Sequence, residues 1–135
     1  MKAIELRIGN KVDCFGIKEV DSVIRSTNGS FKLIVCEKKQ SGVSICESVL
    51  IESIELKPIP LTEEILLKCG FEKCLNQYKL RTKLDTRNGK NVPFIILDLD
   101  GFEYDDLRLQ TKLKHVHQLQ NLYFALTNEE LKIEI

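Results

Sequence analysis

The dipeptide Asn28-Gly29 commits this chain to an antiparallel pairing within its first thirty residues. Both residues accept positive φ, which a two-residue primed turn requires, and that turn matches the twist of the strands it joins. The flanks agree, because Val20–Arg25 and Phe31-Lys-Leu-Ile-Val-Cys36 are rich in β-branched and apolar residues. Further reversals are marked by Gly9-Asn10, Gly16 and Gly42. They separate Leu6–Ile8, Lys11–Phe15, Glu19–Ile24, Val43–Glu47, Val49–Ile51 and Ile54–Leu56. About five short strands at this density predict a compact, strongly curved, barrel-like sheet.

Pro58-Ile-Pro60 ends that region, since proline cannot donate to a ladder. A short helix is predicted over Leu61–Gly70, with Thr62 as N-cap and Glu63 and Glu64 at the positive end of its dipole. Leu61 and Leu66 form a hydrophobic staple there, and Gly70 closes the helix. A meander of three strands follows. Tyr78–Leu84 alternates, Val92–Leu97 is an apolar run covered on both faces, and Leu107, Leu109, Thr111 and Leu113 alternate again. Val116, Leu119, Leu122 and Leu126 then recur on one helix face, predicted as core. Thr127 and Glu130 have capping-box spacing, so a break and a second helical start are expected there.

The wording VHQLQNLYFALTNEEL, together with PIPLTEEILLKCGF, resembles signatures of small proteins carried by gut Bacteroidetes, their phages and mobile elements. That family has no assigned activity. The resemblance spans Pro58 to Leu131 in two islands and implies a phage or mobile-element context. Glu5–Val12 separately resembles the first strand of small Src-homology-3 or Tudor barrels, where an x-Gly-x-x-Val strand bends at its glycine.

Composition excludes several classes. Hydrophobic residues make up 43% and charged residues 30%, which rules out global disorder. Twenty basic and twenty acidic residues cancel, so no long-range field recruits nucleic acid or an anionic membrane. No stretch is apolar enough to span a bilayer, and Met1–Arg7 lacks the pattern of a signal peptide. A cytoplasmic location in a bacterial host cell is expected. Five cysteines, an odd number at irregular spacing, are then expected to stay reduced and unliganded.

Four constellations could carry chemistry. Asp98, Asp100, Glu103, Asp105 and Asp106 could supply oxygens to a divalent metal, and Asp98 and Asp100 share a strand side. Asp-Gly is also ordinary turn chemistry, which is the preferred reading. His115 and His117 diverge on a helix by roughly 200° and share a side on a strand; the expectation is two helix-start residues near solvent. Cys69 and Cys74 lack the second pair that a zinc knuckle needs. From Lys68 to Lys90, seven basic residues face two acidic ones. Strand alternation projects Lys79, Arg81 and Lys83 to one side, with Arg87 and Lys90 at the following turn. These five form the candidate binding surface, set against the plainer reading of an edge strand kept soluble by lysine.

The expected fold is α+β: an N-terminal, small curved β-barrel-like unit over 1–57, then a linking helix, a three-stranded antiparallel meander and a C-terminal helix over 58–135. The two parts could form one continuous domain. The expected function is that of a non-enzymatic interaction protein with a protein partner, without cofactor, metal or membrane. Nucleic-acid binding through the basic strand face is the first alternative. A metal-dependent hydrolase built on Asp98 and Asp100 with a histidine is the second.

Overall fold

The computed structural model describes residues 5–38, 40–52, 56–75, 77–81, 94–98, 103–104 and 111–135. It is an α+β protein, with two antiparallel sheets and two helices among the described residues. The chain divides into two compact units, Met1–Ile59 with His115–Asn121, and Pro60–Lys114 with Leu122–Ile135.

In the first unit β1 (Lys11–Asp13), β2 (Ile17–Arg25), β3 (Phe31–Lys38) and β4 (Ser44–Leu50) follow one another as a meander in the order β1-β2-β3-β4. Among the described residues this sheet is open, with β1 and β4 as its edges. Asn28-Gly29 lies in the β2–β3 connection but does not form the expected two-residue primed turn, since only Gly29 takes positive φ (+84°). Gly29 N–H donates to Ser26 C=O (3.0 Å) and Ser26 N–H to Ser30 C=O (2.7 Å), in a longer, glycine-closed turn. The apolar residues of β2 do not alternate cleanly, and a bulge resolves this. The register slips between Val20 and Ser22, so Val20 opposes Val35 while Val23 opposes Leu33 on the same face. That face supplies the core: Val12, Val20, Leu33, Val35 and Val49 cluster with Leu6, Cys14, Ile51 and Leu56.

The N-terminal segment is held by polar groups of α2 (Val116–Thr127). The buried Gln120 amide accepts from Lys11 N–H (2.8 Å) and donates to Gly9 C=O (3.0 Å). Asn121 donates to Glu5 C=O (2.7 Å) and accepts from the fully buried Asn10 (2.9 Å). Asn10 in turn accepts from Arg7 N–H at 2.7 Å. At the start of the same helix Gln118 reaches back to accept from His115 N–H (3.1 Å), as the third residue of a capping box does. Each of these amides satisfies a group that would otherwise be stranded. Gln120→Leu leaves the N–H of Lys11 and the C=O of Gly9 without partners. We expect it to cost about 2 kcal/mol in chemical denaturation, whereas an exposed substitution costs a few tenths.

In the second unit α1 (Glu63–Lys68) begins where Thr62 accepts from Ile65 N–H (3.3 Å). It ends in a Schellman motif, with Phe71 N–H to Leu66 C=O and Gly70 N–H to Leu67 C=O, both 3.1 Å. Gly70 takes φ +93°, and Leu66 and Phe71, the apolar pair of that motif, are both buried. The second sheet runs β5 (Glu72–Cys74), β6 (Gln77–Arg81), β7 (Phe94–Asp98), β8 (Glu103–Tyr104) and β9 (Thr111–Lys112), in that order. The three expected strands correspond to β6, β7 and β9, but the meander is longer than expected, because β8 stands between β7 and β9 and β5 precedes β6. Sequence reading missed β5, because Phe71–Cys74 carries charge at two of its four positions. Ile95 and Leu97 of β7 are buried and Ile96 is half-buried, so its two faces are covered unequally.

Two expectations for the C-terminal helix need correction. The buried positions are Val116, His117, Leu119 and Gln120, while Leu122 and Leu126 are only half-buried. Thr127 does not start a new helix. It is the last helical residue, its hydroxyl donating to Tyr123 C=O (2.8 Å). Asn128 then turns left-handed at φ +55° and donates to Phe124 C=O (2.7 Å), which is the αL helix stop.

Candidate functional site

Of the five candidate cations, Lys79 and Arg81 lie on β6, while Lys83, Arg87 and Lys90 fall outside the described residues. Strand alternation holds: Tyr78 and Leu80 are buried, and Lys79 between them is half-buried. β6 is flanked by β5 and β7 at Lys79, so Lys79 does not guard an edge. Lys79 opposes Glu72 across the β5–β6 ladder. The neighbouring Lys73 is already engaged, bonded to Glu63 at 3.0 Å and lying 5.8 Å from the Tyr78 ring centre. The hydrogen bond from Lys73 holds the Glu63 carboxyl below the usual range, and the same bond raises Lys73. Part of the basic surplus is therefore neutralised locally.

The acidic cluster is described only at Asp98, Glu103 and Tyr104; Asp100, Asp105 and Asp106 lie outside the described residues. Among the described residues no three His, Cys, Asp or Glu side chains converge as metal ligands.

The histidines differ from expectation. His115 precedes the first helical residue, so the divergence expected of two helical positions does not arise. Their rings stack, with centroids 5.6 Å apart and planes inclined by 7°. His117 is only 1% exposed, not close to solvent, and neither ring nitrogen has a hydrogen-bond partner among the described residues. A carboxylate oxygen of Glu5 is 4.0 Å from its Nε2. Burial, and then the adjacent His115, push its pKa down to about 4, so the ring is neutral at pH 7.

The cysteines also depart from expectation. Cys36 and Cys46 form a disulfide. They are directly opposed in the β3–β4 register, which an odd count in the sequence conceals. The turn at Gly42 and the two predicted strands held the information, since residues 36 and 46 lie equally far from position 41. Cys14, Cys69 and Cys74 form no disulfide among the described residues. Burial pushes Cys69 up to about 11, the opposite of what a nucleophile requires. Cys14 lies 3.7 Å from a Glu47 carboxylate oxygen, and that carboxylate also accepts from Lys18. The Lys18 hydrogen bond lowers the Glu47 pKa and raises that of Lys18.

One surface feature stands out on geometry. Phe15, in the β1–β2 turn, is 78% exposed and holds φ +51°, a left-handed conformation that costs a bulky L-residue about 1–2 kcal/mol. The turn is braced from inside, with Gly16 N–H donating to Asp13 Oδ1 (3.1 Å) and Cys14 N–H to Gly16 C=O (2.9 Å). Ile17, beside it, and Ile8 are also exposed. The same combination recurs in the second unit at Leu75, 96% exposed with φ +50°. The bracing holds an apolar ring in water at a backbone cost. The open cleft of about 450 Å³ beside Asn28, Phe31 and Leu50 has no comparable feature. No family model, curated protein or solved structure matches this chain.

Proposed function

We propose that this chain is a non-enzymatic interaction protein, an accessory factor of phage or mobile-element origin that binds a host or phage protein. The observation that carries the reading is Phe15. A large aromatic held in solvent on a strained, internally braced turn is a preorganised anchor of the kind that dominates protein–protein contacts. Its setting supports that use: the turn belongs to a small four-stranded sheet whose first strand resembles in sequence that of Src-homology-3 and Tudor barrels, and loops on such scaffolds carry binding.

Phe15→Asn tests this, because asparagine tolerates the left-handed conformation and removes the ring. We expect affinity purification from the bacterial host to recover a stoichiometric partner with the wild type and to lose it with the variant. The melting temperature should stay unchanged or rise slightly. Equal recovery by both proteins would refute the assignment of the turn.

Nucleic-acid binding is the second reading, favoured by the alternation that turns Lys79 away from the buried Tyr78 and Leu80. A gel shift at low salt that disappears at moderate salt, and is lost on reversing Lys79 and Arg81 to glutamate, would support it.

A further inference from the structure

The two edges of the first sheet are unlike. On the β1 side Lys57 pairs with Asp13 through two backbone hydrogen bonds of 2.9 and 2.8 Å. On the other side lies β4, seven residues long, with no neighbour beyond it among the described residues. Ile51 N–H donates to Phe31 C=O (3.2 Å), which makes residues 31 and 51 a hydrogen-bonded pair in the β3–β4 register. Alternate pairs behave alike, so Val49, Glu47 and Ile45 also face β3. Ser44, Cys46, Ser48 and Leu50 therefore turn their N–H and C=O groups to the open edge. The Cα separation of 4.1 Å between Cys36 and Cys46 agrees, being that of a close, non-hydrogen-bonded pair.

Sheets normally blunt such edges with lysine, proline, a bulge or brevity. The edges of the second sheet do so: β5 has three residues including Glu72 and Lys73, and β9 has two including Lys112. β4 does none of these. It contains no proline or lysine, its register with β3 is unbroken, and Val43, Ile45 and Leu50 are exposed along it.

We propose that β4 pairs antiparallel with β4 of a second copy of this chain, joining two four-stranded sheets into one. The edge is self-complementary. A two-fold axis at Glu47 sets Ser44 against Leu50 and Cys46 against Ser48, so every outward-facing group meets another along the whole strand. The same axis sets Ile45 against Val49, on the face that carries the core. Charge agrees as well: Glu47 is the strand's only charged residue, and Lys18 of the same chain neutralises it, so two copies meet without net repulsion. A ribbon this short lies at the small end of the interface scale, which implies a dissociation constant of about 1 μM or weaker.

Sedimentation equilibrium of the full chain from about 1 μM to about 1 mM tests this. Ser48→Pro removes an outward-facing donor without touching the β3 ladder, and Ile45→Lys places a charge at an exposed edge position. The wild type is expected to pass from monomer to dimer within the range. Both variants should dimerise at least about tenfold more weakly than the wild type and keep the melting temperature of the dilute wild type. Should Ser48→Pro lower that temperature, Ile45→Lys decides. A wild type that stays monomeric throughout overturns the proposal, as does a dimer that survives Ile45→Lys with unchanged affinity.

Discussion

Leu119→Ala is expected to destabilise the protein by about 2–5 kcal/mol, the range for a fully buried leucine, and Leu122→Ala by distinctly less. The contrast follows from where the helix is covered. Leu119 has no exposed surface, whereas Leu122 is half-buried, so truncation there leaves a smaller void. Urea denaturation of the two variants beside the wild type measures both values, and unchanged m-values would confirm that stability alone has moved. A Leu122→Ala cost equal to or above that of Leu119→Ala would show that the covered face of α2 (Val116–Thr127) is misplaced. With a marginal reserve typical of single domains, the larger loss alone could leave the chain mostly unfolded at 37 °C.

Elements whose cause is local were readable from the chain. Asn28-Gly29 marks its reversal, with Gly29 alone taking the positive φ expected of the pair. Thr62, Gly70 and Phe71 carry both ends of α1 (Glu63–Lys68) within ten residues. What escaped depends on partners distant in sequence. Gln120 and Asn121 read as polar residues beside an apolar stripe, yet they bond Gly9, Asn10 and Lys11, more than a hundred residues away. Their role in the C-terminal signature is structural, as is that of Gln118, which caps the helix. Thr127 misled because capping-box spacing is a local signal that tertiary burial of Leu131 and Ile133 did not follow with a helix. Cys36–Cys46 required a register, and the exposure of Phe15 required a turn conformation that no neighbouring residue announces. The basic surface was legible only as alternation on β6 (Gln77–Arg81), since three of its five members lie outside the described residues.

Acid is expected to weaken this protein through His117, by about 3 kcal/mol between neutral pH and pH 4. The ordinary pKa of 6.5 applies to the unfolded chain, while burial first and His115 second lower the folded value to about 4. Above pH 6.5 both states are neutral at this residue, and its charge contributes nothing. As the pH falls below 6.5 the unfolded chain takes up a proton that the folded chain refuses, so stability declines. The decline levels off below about 4, where the folded form also protonates. Glu5, at 4.0 Å from Nε2, offsets only part of the desolvation, and no hydrogen bond from the described residues anchors either nitrogen. His117→Leu keeps a similar volume and removes the titrating group. At pH 7 it should be as stable as the wild type or more so, because two unpartnered polar atoms leave the interior. At pH 4.5 the variant should retain roughly 2–3 kcal/mol that the wild type has lost. Urea midpoints at pH 7, 6, 5 and 4.5 give the comparison directly, and carboxylates such as Glu47 and Glu63 cancel because both proteins share them. Parallel pH profiles for the two proteins would mean that the ring finds a proton-accepting partner, and its burial without one would have to be abandoned.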